Sequence, residues 1–240
     1  EIFRQAEKSA IIRNAHAVNT GRPPELKNTQ NDFFFLCRRA PDRLVQTVVE
    51  LCRQRLPNNM GIPAEQIQVL SPTRKGVCGT VNLNRALQAA LNPPAAGKRQ
   101  KLWGDMVFRE GDRVMQTRNN YDVVWEKDDG AMGAGIFNGD VGVIQEIDPS
   151  GELITIQFDD RTCVYTADLL NQLDMAYAMT VHKAQGSEYR CVVLVSAAVA
   201  PALMVRGVLY TAITRARELL VLVGDDVAPG QMAANDRQQR

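Results

Sequence analysis

Nine consecutive residues, Thr180-Val181-His182-Lys183-Ala184-Gln185-Gly186-Ser187-Glu188, place hydroxyl, imidazole, ammonium, amide and carboxylate groups along one short stretch. Apolar Met175 to Met179 before them predicts a strand running out into Thr180, then a short helical turn ending at Gly186. Turns of this kind present free N–H groups that suit phosphates. Thr180, His182, Lys183 and Gln185 add side-chain donors there, and Glu188 lies beyond as an acceptor suited to a ribose hydroxyl. The same residues also suit a polar connection that binds nothing.

A second segment, Arg206-Gly207-Val208-Leu209-Tyr210-Thr211-Ala212-Ile213-Thr214-Arg215-Ala216-Arg217, has helical spacing. Val205, Leu209, Ala212 and Ala216 fall on one apolar face. Gly207, Thr211 and Arg215 form a separate stripe, and small residues beside a long arginine leave it room to reach across an interface. A surface helix with solvated arginines fits equally.

The rest of the chain must position these groups. Ser9 to Thr20 reads as a helix stopped by Gly21. Phe33 to Leu36 is a short strand, and Pro41 opens a helix through Leu44, Val48 and Cys52 to Leu56. Ile67 to Leu70 is a strand ending in Ser71-Pro72-Thr73-Arg74-Lys75-Gly76, followed by a helix through Leu83, Leu87 and Leu91 that closes at Pro93-Pro94. From Asp105 the texture changes to period-2 patterns and tight turns, among them Asn138-Gly139-Asp140 and Asp148-Pro149-Ser150-Gly151. These predict a small antiparallel barrel, with 121–137 a looser polar link inside it. After Asp174 the alternation of strand and helix returns: Met175 to Met179, Cys191 to Ser196, a helix from Pro201 to Arg217, and a last strand from Leu219 to Val223. Residues from Pro229 onward read as a frayed tail. Strand and helix alternating on both sides of a β-rich insert predicts one interrupted parallel α/β domain.

Charge follows the same divisions. Residues 1–104 hold 16 Lys+Arg and 7 Asp+Glu, a net of +9; residues 105–174 hold 5 and 15, a net of −10; residues 175–240 net +2. A basic body can attract nucleic acid by neutralising phosphates, although two solvated faces of opposite sign would look the same. Hydrophobic residues make up 45% and charged residues 23%, which excludes disorder along the whole length. No apolar run is long enough to span a membrane. Five cysteines, at 37, 52, 78, 163 and 191, and two histidines lack metal-like spacing. They read as free thiols in a reducing, cytoplasmic compartment.

Together and in this order, Phe3-Arg4-Gln5, Ser71 to Gly76, Thr180 to Glu188 and Leu209 to Ala216 resemble motifs IV, IVa, V and VI of the second motor domain of superfamily 1 helicases. The RecD-like branch of 5′→3′ DNA helicases is the closest in pattern. Gly111-Asp112-Arg113-Val114-Met115 and Phe137-Asn138-Gly139-Asp140-Val141-Gly142 resemble its inserted SH3-like barrel. The resemblance implies an α/β, RecA-like parallel sheet with helices on both faces, over 1–104 and 175–228. A small antiparallel SH3-like barrel over 105–174 would interrupt it, and 229–240 would be a flexible tail. It also implies roles. Arg4 and Arg215 would reach the γ-phosphate of ATP as arginine fingers. Gln5, Gly186 and Glu188 would contact the nucleotide. Thr73, Arg74, Thr180, His182, Lys183 and Gln185 would touch single-stranded DNA.

The phosphate loop G-x-x-x-x-G-K-[ST] is absent from these 240 residues: the only Gly-Lys is Gly97-Lys98, followed by Arg99. ATP and Mg2+ would therefore be held mainly by an N-terminal motor domain of a longer protein. This chain would be inactive by itself. The acidic insert is a candidate surface for a protein partner. Two other readings stand beside this one: a non-catalytic binding module descended from a helicase, and the helicase part of a relaxase or of a RecBCD-type subunit.

Overall fold

Two long apolar segments, Tyr189–Ser196 and Ala216–Gly224, explain the centre of the molecule. In the computed structural model, which describes residues 8–197 and 199–238, they lie side by side as buried parallel strands. The chain divides into two compact units. One is built from the chain up to Ala86 and from Ala178 onward, the other from Leu87–Tyr177.

The first unit is organised on a five-stranded parallel sheet in the order β1-β14-β13-β2-β12. Its strands are β1 (Phe33–Cys37), β2 (Ile67–Ser71), β12 (Ala178–Thr180), β13 (Tyr189–Ser196) and β14 (Ala216–Gly224). Val193 pairs with Val221 on one side and Val69 on the other, and Ala178 pairs with Val69. Residues on both faces of the central strands are buried, so these strands read as continuous apolar runs and not as alternation. Helix α1 (Ala10–Asn19) starts at Ser9, whose hydroxyl accepts from the Ile12 N–H and donates to Asp32 at 2.6 Å. It packs with α5 (Arg206–Thr214) and α6 (Ala228–Ala234). Helix α2 (Pro41–Glu50) begins with proline, buries Leu44 and Val48, and packs against β14. A π-helical turn, Leu51–Arg55, carries it into α3 (Leu56–Met60), which stops at Gly61 in the left-handed conformation.

Helix α4 (Thr80–Leu91) leads out of the first unit and β12 leads back in. A single side chain closes that gap. The Asn84 amide donates to the Ala178 carbonyl at 2.9 Å and accepts from the Ala178 N–H at 2.7 Å, with both residues buried.

The second unit is antiparallel and SH3-like. Its main sheet runs β11-β5-β8-β9-β10-β6-β7, and a hairpin of β3 (Gln100–Trp103) and β4 (Met106–Arg109) accompanies it. The sheet comprises β5 (Arg113–Gln116), β6 (Asn120–Glu126), β7 (Met132–Ile136), β8 (Val141–Ile147), β9 (Leu153–Phe158), β10 (Arg161–Thr166) and β11 (Leu173–Met175). Alternation on β8 to β10 buries Ile144, Ile154, Ile156, Phe158 and Tyr165. The composition break at Asp105 lies inside this unit, in the turn between β3 and β4. Asp112 is wholly buried in it. Its Oδ1 accepts from Asn92 Nδ2 and the Tyr177 hydroxyl, and its Oδ2 accepts from Gln88 Nε2 and the Arg109 N–H, all at 2.7–2.8 Å. Burial first, and then the Asp112 charge, push the Tyr177 phenol far above its ordinary range.

Four expectations change. The apolar run Met175 to Met179 is not one strand: Leu173–Met175 pairs with β5 and Ala178–Thr180 with β2, so the run is divided between two sheets. The helix expected from Pro201 to Arg217 is a 3-10 turn at Pro201–Leu203 followed by α5, and Ala216 and Arg217 already belong to β14 because Ala216 pairs with Tyr189. The loose link at 121–137 is largely the β6–β7 hairpin. Gly133 sits under the Trp125 ring, where any Cβ would collide with it. The expected tail contains α6. The Asp225 carboxylate accepts from the Val227 and Ala228 N–H groups and sets its start, while Met232 and Ala233 are buried.

All five cysteines are free; Cys37 is exposed, Cys78 half-buried and the other three buried. Burial raises the Cys78 thiol, and pushes Cys163 to about 11 and Cys191 to about 12. At pH 8 a thiol with a pKa of about 12 is thiolate in only about one molecule in 10⁴. We therefore expect iodoacetamide to modify Cys37 first, Cys78 more slowly and the rest only after unfolding. Peptide mass spectrometry checks this, and fast native labelling of Cys191 would contradict it.

Candidate nucleic-acid interface

Parallel α/β sheets gather ligands at the carboxyl ends of their strands. β2 and β12 end together there, with Thr180 beside Ser71, and the start of α5 stands over them. They enclose an open cleft of about 750 Å3. Thr73, Arg74, Thr180, His182 and Gln185 all line it, so residues 107 positions apart in sequence (Thr73 and Thr180) meet at one surface. Lys183 does not line it. It is half-buried, and its backbone N–H donates to Thr180 Oγ1 at 3.3 Å.

The loop after β2 is shaped by local bonds. The buried Ser71 hydroxyl donates to the Cys78 carbonyl at 2.8 Å and accepts from the Thr73 N–H; Thr73 Oγ1 accepts from the Lys75 N–H. The Thr80 N–H returns to the Thr73 carbonyl at 3.0 Å. Gly79 is required at the closure, since a Cβ would collide with the carbonyl oxygens of Lys75 and Arg74. Arg74 and Lys75 are thereby presented on an exposed turn.

On the other wall, Gly207 and Tyr210 of α5 face the cleft. The helix has no side-chain cap at Val205; instead its Arg206 N–H is taken by the Asn235 carbonyl at 2.7 Å and its Val208 N–H by the Val205 carbonyl at 3.2 Å. Arg206 also lines the cleft, but its Nε donates to the Ala233 carbonyl at 2.8 Å and its guanidinium rests over Gly21. That side chain fastens α6 to α5. Asn19, Tyr210, Asp236 and Arg237 are lining residues that sequence reasoning did not identify. Tyr210 sat inside a quoted motif and could have been read from it. Asp236 and Arg237 reach the cleft only because the Arg206 N–H bonds the Asn235 carbonyl and Asn235 Nδ2 bonds the Met204 carbonyl.

The remaining candidates lie at the opposite end of the 180–188 segment, where β13 begins. Arg215 caps α5, and its Nη1 donates to the Ser187 carbonyl at 2.9 Å while its Nε donates to the Thr211 carbonyl at 3.2 Å. The Tyr189 N–H returns to the Arg215 carbonyl at 2.8 Å. Glu188 is thus held between two residues bonded to Arg215, and is exposed. Gly186 precedes it with φ +79°. Phe3, Arg4 and Gln5 lie outside the described residues.

A RecA-like sheet with an SH3-like unit interrupting it is the architecture of a motor domain of the helicase type. Residues 175–223 match the UvrD-like helicase C-terminal domain, and residues 83–158 match the ATP-dependent RecD-like DNA helicase SH3 domain. Over 240 residues the chain is 33% identical to the ATP-dependent RecD2 DNA helicase of Deinococcus radiodurans, covering 100% of this chain and 30% of that protein. It is 28% identical over 164 residues to the RecBCD enzyme subunit RecD of Mycobacterium tuberculosis, covering 68% of this chain and 26% of that protein. The fold is similar to the Pif1 helicase of Candida albicans, with a TM-score of 0.50, 14% identity, and coverage of 95% of this chain and 55% of that one. By these matches the chain resembles the C-terminal part of a RecD-like superfamily 1 helicase, a motor domain with the SH3-like unit. It spans about a third or less of the length of these two curated relatives.

Proposed function

We propose that this chain is the part of an ATP-dependent DNA helicase that grips single-stranded DNA and lends arginine to an ATP site built by another motor domain. The observation that carries the reading is the cleft at the ends of β2 and β12, which gathers Thr73, Arg74, Thr180, His182 and Gln185 beside the start of α5. Hydroxyl, amide and imidazole donors with one exposed arginine suit a sugar-phosphate backbone and read no base sequence.

Residues 180–188 connect this cleft to Arg215 and Glu188 without an intervening element. ATP with Mg2+ would supply the γ-phosphoryl group whose transfer drives the cycle. The groups here fit its outer reach: a planar cation for γ-phosphate charge and a carboxylate for a ribose. They do not make a phosphate cradle. A change in the bonds of Arg215 moves Ser187 directly, and the same short segment ends at Thr180 in the cleft. DNA grip and nucleotide state are thereby linked through one stretch of chain. We assign 5′→3′ movement on the likeness to the RecD-like branch. The acidic unit is assigned to protein contact on its charge.

Fluorescence anisotropy with a labelled oligothymidylate tests the reading. The chain should bind, with affinity falling as salt rises by about 0.7 log units per log unit for each phosphate contact. Thr180→Ala with His182→Ala should weaken binding by about tenfold, and Mg-ATP with DNA should give no turnover by the chain alone. Binding that is absent, or indifferent to salt, defeats the proposal.

A further inference from the structure

A second cleft, of about 580 Å3, opens beyond the 72–79 loop, at the carboxyl ends of β1, β13 and β14. Thr73 lines both clefts, so they meet across that loop. Its rim is basic. Arg38 and Arg39 follow β1, and Lys75 stands on the opposite loop. Arg38 is held in place: its Nε donates to Thr47 Oγ1 at 2.9 Å and its Nη1 to the Cys37 carbonyl at 2.8 Å. Its Nη2 has no hydrogen-bond partner among the described residues. Beneath the rim the walls are apolar, from Pro41, Leu44 and Val77, the last 43% exposed.

Cationic rim and apolar wall together match one unit of a nucleic acid strand, with a phosphate outside and a base within. One feature opposes the match. Arg39 makes a fork with Asp226, Nη2 lying 2.9 Å from both carboxylate oxygens. Both side chains are largely exposed, at 68% and 40%, so the pair is weak and can exchange for another anion. The arginine holds the Asp226 carboxyl below the usual carboxylate range, so near neutral pH the acid is a charged competitor for any phosphate. Asp225 also lines the cleft, but its Oδ1 is occupied by the Val227 and Ala228 N–H groups.

We propose that this second cleft continues the single-strand track by one nucleotide, with Arg39 and Lys75 taking the phosphate, Pro41 and Val77 the base, and Asp226 acting as a displaceable stand-in for the phosphate. The inference rests on the first cleft binding single-stranded DNA. It assigns the Arg39–Asp226 pair a role in specificity for occupied and empty states of the track, which neither a structural ion pair nor a solvated one would have.

The test measures oligothymidylates of increasing length, with thymidine monophosphate as a competitor, against the 240-residue chain and two variants. Arg39→Ala with Lys75→Ala should leave the shortest bound oligonucleotides unaffected. It should weaken longer ones by about tenfold and reduce the salt slope by about 0.7, one single-strand phosphate's worth. Asp226→Asn should tighten the longer oligonucleotides, because it frees Arg39 and removes a repelling charge. Both arginine and lysine side chains are exposed, and circular dichroism verifies that the variants fold. If no oligonucleotide binds the parent chain, the proposed function and this inference fall together. Binding by the parent with an unchanged slope in the double variant, or weaker binding by Asp226→Asn, overturns this inference alone. Monophosphate binding lost in the double variant while every oligonucleotide is unaffected would make the cleft a free-nucleotide site and also overturn it.

Discussion

Replacing Arg215 with alanine, in a helicase that carries this chain together with its phosphate-loop domain, is expected to lower ATP turnover by about 10²-fold or more and leave DNA affinity nearly unchanged. In the proposed role the removed group is a cation that meets the charge building on the γ-phosphate, and one well-placed transition-state donor is worth about 2.7–4 kcal/mol. The structure adds a reason that the helical spacing did not contain. Arg215 also ties the Ser187 carbonyl to the end of α5, so its loss loosens the segment leading to Thr180. The effect should therefore appear in kcat, with a reduced ability of DNA to stimulate turnover. Arg215→Lys should recover little, since an ammonium cannot bridge Ser187, Thr211 and a phosphate together. Arg217 is the control: it is exposed on β14, beyond the helix. Steady-state ATPase assays at saturating DNA decide it. Near-parental turnover for Arg215→Ala, or equal losses at both positions, ends the arginine-finger assignment.

Replacing Asp112 with alanine should cost the SH3-like unit about 3 kcal/mol or more. Four donors converge on that carboxylate, and its removal takes the acceptor from the Tyr177 hydroxyl and the Arg109 N–H and one of two acceptors from Gln88 Nε2 and Asn92 Nδ2, which keep the Val107 and Glu110 carbonyls. Each buried unsatisfied group costs about 1–3 kcal/mol before relaxation. Asp112→Asn preserves size, but its NH2 faces two donors, so about 2 kcal/mol should still be lost. Both tryptophans, Trp103 and Trp125, lie in this unit, and their fluorescence during urea unfolding reports it selectively. A midpoint shift too small to represent 1 kcal/mol would show that water replaces the carboxylate without penalty.

The sequence made some of this legible and hid the rest for identifiable reasons. Cys191 to Ser196 and Ile67 to Leu70 were readable because a parallel strand buried on both faces is an unbroken apolar run. Ser9 and Gly21 announced both ends of α1. The end of α5 was hidden because Ala216 and Arg217 are good helix formers, and only their pairing with β13 makes them strand. The division of the 175–179 run was hidden because both halves are apolar and only partner strands distinguish them. Asp112 stood within the Gly111 to Met115 segment with no sign of its burial, since nothing local reveals that Gln88, Asn92 and Tyr177 converge on it. The first cleft was legible as a set of residue types, but its far wall at Asp236 and Arg237 depends on bonds between the chain after α6 and the start of α5.

The Asn84–Ala178 clasp bears on the order in which the chain assembles. β2 and β12 pair across an excursion of more than ninety residues, from Asn84 to Ala178. Closing a flexible loop of that length costs about 4 kcal/mol by the logarithmic loop-length term. If the excursion is already folded, its two ends emerge as fixed neighbours and most of that cost has been met by its own local, antiparallel contacts. Folding of the SH3-like unit first would therefore lower the barrier to completing the parallel sheet, with β12 docking on β2 and the Asn84 amide receiving its Ala178 backbone. On that order, the interruption that makes the domain discontinuous in sequence would serve as its folding template.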